Sequence, residues 1–285
     1  MLWCRDAMLS VGVAGLMLAA AAGGPAAAAD LYASSAAPAA KPSAEDWYLT
    51  IGVSGRVEPD YPGADDYAFR PGAIFSISKA SGLNVFRSVD DNPSVALLDT
   101  GSFRVGAVGR LDWGRDEDSS DRLTGLGDVD MSIEAGGFAE WYPFQWLRLR
   151  GELRYGMGGF DGVTGDLAAD LIYTMDRWRF AVGPRLSYAG SGYMGTYFGI
   201  TPLQSLSATL QGNPLPVFNA GAGFDAVAAT AQVTYNFRNG FEAGVYGTYG
   251  YLLGDAAASP LTSDESQFKA GVSLSYTFNM GKSWW

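Results

Sequence analysis

Residues 267–278 alternate without a break: Phe268, Ala270, Val272, Leu274, Tyr276 and Phe278 interleave with Gln267, Lys269, Gly271, Ser273, Ser275 and Thr277. Side chains of a strand point to opposite faces with period two, so one face of this segment is apolar and the other polar. The same pattern recurs through most of the chain. Strands of a soluble sandwich also alternate, but they are shorter and seldom carry aromatics in bands at their ends. No segment after residue 29 approaches the roughly 18 uninterrupted apolar residues of a membrane helix. The pattern predicts an all-β protein, a transmembrane antiparallel up-and-down β-barrel.

The chain begins with an export-type segment. Residues 1–29 hold Arg5, an apolar stretch from Ala7 to Ala22 and Ala27-Ala28-Ala29 before Asp30, the layout of a signal peptide cleaved before Asp30. Residues 30–45, rich in Ala, Pro and Ser, read as a flexible tail on the periplasmic side, and 46–285 as the barrel. The single cysteine, Cys4, lies ahead of the apolar run, so the exported part has no disulfide to form. Aromatics at 13% and 38 glycines suit a wall that is greasy outside and polar inside. A net charge of −11 excludes a nucleic-acid partner, since binding phosphates needs a basic face. The acidic excess is compatible with a surface that meets divalent cations among anionic glycolipids, and the partners expected of an outer-membrane barrel are outer-membrane lipid and lipopolysaccharide.

Alternation predicts strands near 47–57, 67–79, 83–89, 95–98, 103–113, 128–142, 146–157, 165–175, 178–190, 218–237, 241–252 and 267–278, about 12 in all, an even number as bacterial barrels normally have. Short connections then alternate with long ones, with the one at 90–94 the short exception, which places the short turns and both termini in the periplasm. Trp47, Trp141, Trp178, Phe237, Phe241 and Phe278 all fall at the short-turn ends, where an aromatic girdle meets the headgroups. Turn chemistry agrees: Arg238-Asn239-Gly240 joins Phe237 to Phe241, and Asp176-Arg177 joins Met175 to Trp178.

The polar faces carry charge. Glu134 and Glu140 on one strand and Arg148, Arg150, Glu152 and Arg154 on the next point inward, with Asp128 and Asp130 ahead of them. If Tyr142 opposes Trp146, Glu140 faces Arg148 and Glu134 faces Arg154. Arginines turned outward would cost roughly 2–4 kcal/mol each at the bilayer midplane, so the charges belong inside. There they either fill a narrow lumen as a salt-bridge network, or line a solute path to which Arg104, Arg110, Arg179 and Arg185 add cationic wall.

Catalytic chemistry is sparse. The chain has no histidine and no cysteine after residue 29, which closes Ser-His catalysis and nitrogen–sulfur zinc sites. The inward carboxylates sit beside arginines, which keep them ionised and unsuited to proton transfer. Asp116-Glu117-Asp118 with Asp121, and the Asp residues around Tyr61-Pro62-Gly63, lack the fixed ligand spacing of a calcium loop. No catalytic, cofactor or metal residue is assigned, and the expected protein is not an enzyme.

Several motifs in order resemble one family. These are Tyr61-Pro62-Gly63-Ala64-Asp65-Asp66-Tyr67, Gly109-Arg110, Leu123-Thr124-Gly125-Leu126-Gly127-Asp128-Val129-Asp130, Gly183-Pro184-Arg185-Leu186, Tyr193 to Ile200 and Leu253 to Leu261. Together they resemble the MltA-interacting protein family (MipA/OmpV) of Gram-negative outer membranes. The chain departs from that pattern by running on from Phe278 through Asn279 to Trp285. The resemblance implies an outer-membrane barrel and a scaffold role, connecting a murein hydrolase to a murein synthase. Solute passage through an Arg-lined lumen, or adhesion through the long loops, are the alternatives it leaves open.

Overall fold

The computed structural model describes residues 46–79 and 86–282; the export segment, the tail and residues 283–285 lie outside them. Eleven strands among the described residues form a closed barrel. In chain order they are β1 (Trp47–Pro59), β2 (Tyr67–Lys79), β3 (Ser94–Asp99), β4 (Phe103–Asp112), β5 (Ser132–Phe144), β6 (Leu147–Gly158), β7 (Gly162–Met175), β8 (Trp178–Ala189), β9 (Gly223–Asn236), β10 (Phe241–Leu252) and β11 (Ser266–Gly281). Each pairs with its sequence neighbour, and β11 closes on β1. Outward side chains such as Val53, Phe69, Leu153 and Tyr173 stay exposed, as a lipid-facing wall requires.

The expected strand at 83–89 is absent where it is described. Residues 86–88 have no regular structure, and 89–90 form a turn. Residues 86–93 instead pass through the barrel interior, where Phe86 and Ser88 are buried. This changes the count and the topology together. The chain makes one of its passes inside the wall, so β2 and β3 run parallel while the other neighbours are antiparallel. One parallel pair is what lets an odd-numbered barrel keep its first and last strands antiparallel, with both ends at one rim. An alternating sequence does not distinguish a strand in the wall from a segment clasped inside it.

Turns 100–102, 145–146, 176–177 and 237–240 share one rim, the short-turn end; the connections at 60–66, 113–131, 190–222 and 253–265 share the other, the loop end. The Arg238-Asn239-Gly240 turn forms as expected. Phe237 N donates to Phe241 O at 3.0 Å, and Gly240 takes φ +93°, which a side chain would resist.

The β5–β6 register differs from the expected one by two residues: Trp141 opposes Leu149, and Glu140 opposes Arg150. Pro143 has no N–H to give the ladder, and the irregularity falls there, between Trp141 and Phe144. The turn then tightens to Gln145-Trp146, with the Trp146 ring stacked on Phe144 at 5.0 Å. A slip of two leaves every side chain on its face, so alternation cannot detect it. β5 also begins later than expected, at Ser132. Asp128 lies in the preceding loop, where its Oδ1 accepts from Glu117 N at 2.8 Å.

The last strand runs past Phe278 to Gly281, with Asn279 opposite Tyr48 and Gly281 opposite Trp47. Truncation after Phe278 removes these rim pairs and leaves the ladder from Phe278–Leu49 onward intact. The truncated chain is therefore expected to insert into the outer membrane with unchanged heat-modifiable gel mobility. Accumulation in the periplasm would show that residues 279–285 carry part of the assembly signal.

At the loop end the connections fold on one another. They contain α1 (Ser191–Tyr197), α2 (Pro202–Leu210) and α3 (Gly254–Ala258). One apolar cluster gathers Phe160, Tyr193, Met194, Tyr197, Phe198 and Leu252; a second gathers Tyr61, Leu123, Leu126, Ile200, Ala208 and Leu261. Tyr197 Oη donates to Asp112 Oδ1 at 2.6 Å, and burial together with this carboxylate pushes the hydroxyl up, so it remains a donor. The Asp116–Asp118 loop uses its acid side chains to hold backbone, Glu117 Oε2 accepting from Gly127 N at 2.6 Å.

Candidate functional site: the charged lumen

Period-two geometry lines the lumen with charge along β5 to β8, from near the short-turn rim at Arg148 to near the loop end at Glu134 and Asp166. β6 directs Arg148, Arg150, Glu152 and Arg154 inward, β5 directs Glu134 and Glu140, β7 Asp166 and Asp170, and β8 Arg185. Arg148, Glu134 and Glu140 are at most 1% exposed. A charge at that depth survives only when its hydrogen bonds are satisfied by opposite charge.

Glu140 is the first hub. Its Oε1 accepts from Arg104 Nη1 at 2.9 Å, and its Oε2 accepts from Arg148 Nη2 and Arg150 Nη1, each at 2.9 Å. Arg148 is the second, its Nη1 donating to Asp170 Oδ2 at 2.8 Å and its Nη2 to Asp91 Oδ2 at 2.5 Å. Arg150 lies over the Phe138 ring, 4.2 Å from its centroid, and donates from Nε to Glu152 Oε1 at 2.8 Å. Arg154 reaches Glu134 at 3.1 Å, Glu152 at 2.5 Å and Asp166 at 2.6 Å. Thr164 Oγ1 also donates to Glu134. The Glu140–Arg148 and Glu134–Arg154 contacts run diagonally across the β5–β6 ladder, which the two-residue slip requires.

Arg185 follows a proline, which has no N–H to give the ladder. The β7–β8 ladder skips the pairs opposite Gly183 and Pro184. A Cβ on Gly183 would lie 1.6 Å from Ala169 O, so only glycine permits this approach. Arg185 then reaches Asp170 Oδ1 at 2.7 Å and Asp90 Oδ2 at 3.1 Å.

The inner segment is tied to this network along its length. Tyr142 Oη donates to Phe86 O at 2.8 Å, and Gln232 accepts from Val89 N at 2.8 Å while donating to Arg87 O at 3.1 Å. Asp90 meets Arg185, Asp91 meets Arg148, and Asn92 Nδ2 donates to Glu152 Oε2 at 2.8 Å. Sequence reasoning brought together the glutamates and arginines of β5, β6 and β8 but missed Asp90, Asp91, Asp166, Asp170 and Gln232. The Asp90-Asp91 pair was the available signal, since two adjacent carboxylates in a short connection have no reason to sit at a headgroup rim.

The six aromatics read as a girdle, Trp47, Trp141, Trp178, Phe237, Phe241 and Phe278, all lie at the short-turn rim. All but Trp47 are exposed, and Trp47 has Lys79 Nζ 5.4 Å above its ring. Tyr235 and Tyr276, which the sequence reading did not single out, join them: Trp178, Tyr235 and Phe237 contact ring to ring, as do Phe241, Tyr276 and Phe278.

Among solved structures the chain is similar to an outer membrane channel from Pseudomonas putida F1 (10% identity, TM-score 0.42, covering 84% of this chain and 97% of that one). It is also similar to the NanC porin (10% identity, TM-score 0.39, 79% and 98%) and to OmpT, an outer membrane protein of Vibrio cholerae (8% identity, TM-score 0.34, 82% and 97%). No curated protein matches the chain significantly. The family model described as "MltA-interacting protein MipA" matches residues 51–278, a stretch running from β1 to the aromatic near the end of β11. With its lipid-facing barrel and charge-filled interior, the chain belongs to the MipA family and resides in the outer membrane.

Proposed function

We propose that this protein is a closed, non-enzymatic barrel that presents its short-turn face to murein-processing proteins in the periplasm. The observation that carries the closed reading is the inner segment 86–93, held across the lumen by Asp90, Asp91, Asn92 and Gln232. A lumen spanned by backbone and lined by buried ion pairs has no continuous water path for a solute. The scaffold role rests on the family's description, which names MltA as the partner. The short turns and the aromatic rim, with the start of β1 and the end of β11, supply the contact surface, and lipopolysaccharide surrounds the opposite end.

This reading orients the loop end outward. Cysteines placed at Ser119 and Gln211 are expected to react with a membrane-impermeant maleimide on intact cells, and a cysteine at Asn239 only after the outer membrane is opened. The reverse pattern would invert the barrel. The function is tested by two measurements on purified, refolded protein. Planar bilayers should show no steady openings, and immobilised barrel should retain an MltA-type transglycosylase, with retention lost when the Arg238-Asn239-Gly240 turn is replaced. Steady openings would overturn the closed reading; no retention of the transglycosylase would overturn the scaffold.

A further inference from the structure

The barrel wall has a seam. β2 and β3 share only two register pairs, Ser76–Ser94 and Ile77–Val95, because β3 starts part-way up the wall, where the inner segment ends. Among the described residues, Tyr67–Phe75 of β2 pair with β1 alone. On the far side, Gly109 N donates to Pro93 O at 3.0 Å, and Arg110–Asp112 have no register partner facing β2. Pro71, which has no N–H to offer a neighbouring strand, falls within the free stretch. Prolines in sheets sit at such edges and blunt them against pairing with another chain. A partner strand is therefore a poor occupant.

What lies behind the seam differs from the packed lumen along β5 and β6. In the loop-end half, Arg56, Arg110 and Lys269 keep side-chain surface, at 31%, 37% and 49%, whereas Glu134 and Arg154 on β5 and β6 are buried. The loops pack into apolar clusters above this space and the inner segment occupies the lumen below it. Three cations converge there on one carboxylate. Glu58 is met by Arg56 at 2.9 Å, Arg70 at 3.7 Å and Lys269 at 3.9 Å, and Asp60 takes part of the Arg70 charge at 2.9 Å. Among these five groups the cations outnumber the carboxylates by one, and Asp225 is a further carboxylate on the Lys269 side.

We infer that the β2–β4 seam is a lateral portal for a single-chain anionic amphiphile of the membrane, with its carboxylate held by Arg56, Arg70 and Lys269 and its acyl chain leaving between β2 and β4. Strands in a sheet lie about 4.8 Å apart, so the place of one absent strand is the width of one hydrocarbon chain. The outward residues flanking it, Phe69 and Phe75 on β2 and Leu111 on β4, are exposed and apolar. Unpaired backbone groups of the two edges would be left without partners in pure hydrocarbon; the charged space behind them gives them water or a polar head instead. The site is separate from the short-turn face assigned to protein partners.

The chain lacks a cysteine after residue 29, which makes a labelling test clean. Protein lacking residues 1–29 and carrying Ile74→Cys, inward on β2, is compared in liposomes with Ser187→Cys, inward on β8 across the barrel from the seam. A dodecyl-chain maleimide should modify Ile74→Cys several-fold faster than Ser187→Cys. In detergent, displacement of a fluorescent fatty acid by laurate should be at least roughly tenfold weaker in Arg70→Gln, the loss of one charge-assisted contact, and unchanged in Arg122→Gln on the external loop. Heat-modifiable mobility checks that each variant is folded. Equal labelling of the two cysteines, or laurate affinity in Arg70→Gln equal to that of Arg122→Gln, would overturn the portal.

Discussion

Arg148→Ala is expected to lower the unfolding free energy of the barrel by roughly 3–5 kcal/mol, the cost of stripping one partner from a buried ion pair. Arg148 is fully buried and its guanidinium serves Glu140, Asp91 and Asp170 at once. Its removal leaves Asp91 with the Ser88 N–H at 3.0 Å and, as its cation, Arg150 at 3.9 Å. Arg148→Lys should recover only part of the loss, because an ammonium is a point charge and cannot fork between three carboxylates. Urea titration of the refolded protein, followed by tryptophan fluorescence and gel mobility, measures both. A loss below about 1 kcal/mol, the worth of a surface pair, would mean that water reaches this part of the lumen.

The second large effect concerns the inner segment. Asp90→Ala with Asp91→Ala cuts its two charged ties, while Arg185 keeps Asp170 and Arg148 keeps Glu140 and Asp170. The wall therefore retains its network and the segment loses its anchors. Each charge-assisted contact contributes about 1.5–3 kcal/mol, so the released population should rise roughly ten- to a hundredfold per contact. Planar-bilayer recordings should pass from silence in the parent to resolvable openings in the double variant, with the urea midpoint little changed. Continued silence in a correctly folded double variant would show that Gln232, Asn92 and Phe86 hold the segment without the two carboxylates.

The consequences of these two substitutions differ because the network has two layers. Wall-to-wall pairs, such as Glu140 with Arg104, Arg148 and Arg150, stabilise the barrel itself. Wall-to-segment pairs, Arg185 with Asp90 and Arg148 with Asp91, decide whether the interior is filled. Arg148 belongs to both layers, and that is why its loss is the more damaging.

By itself the sequence determined which face of each strand meets lipid. That is a local property: once a segment is extended, the direction of Glu134, Arg154 or Phe278 follows from its parity in the strand. The aromatic rim, the inward charge and the Gly240 turn were legible for the same reason. Only the tertiary structure decided how strands meet. Alternation repeats every two residues, so the slip that sets Glu140 against Arg150 in place of Arg148 leaves no mark on it. Nor does it reveal whether 86–93 lies in the wall or within it, since side chains clasped by Gln232 and Arg185 alternate as those between lipid and lumen do. That one choice produced the odd strand count, the parallel β2–β3 pair and the seam beside it, because pairing is settled by contacts between residues far apart in the chain.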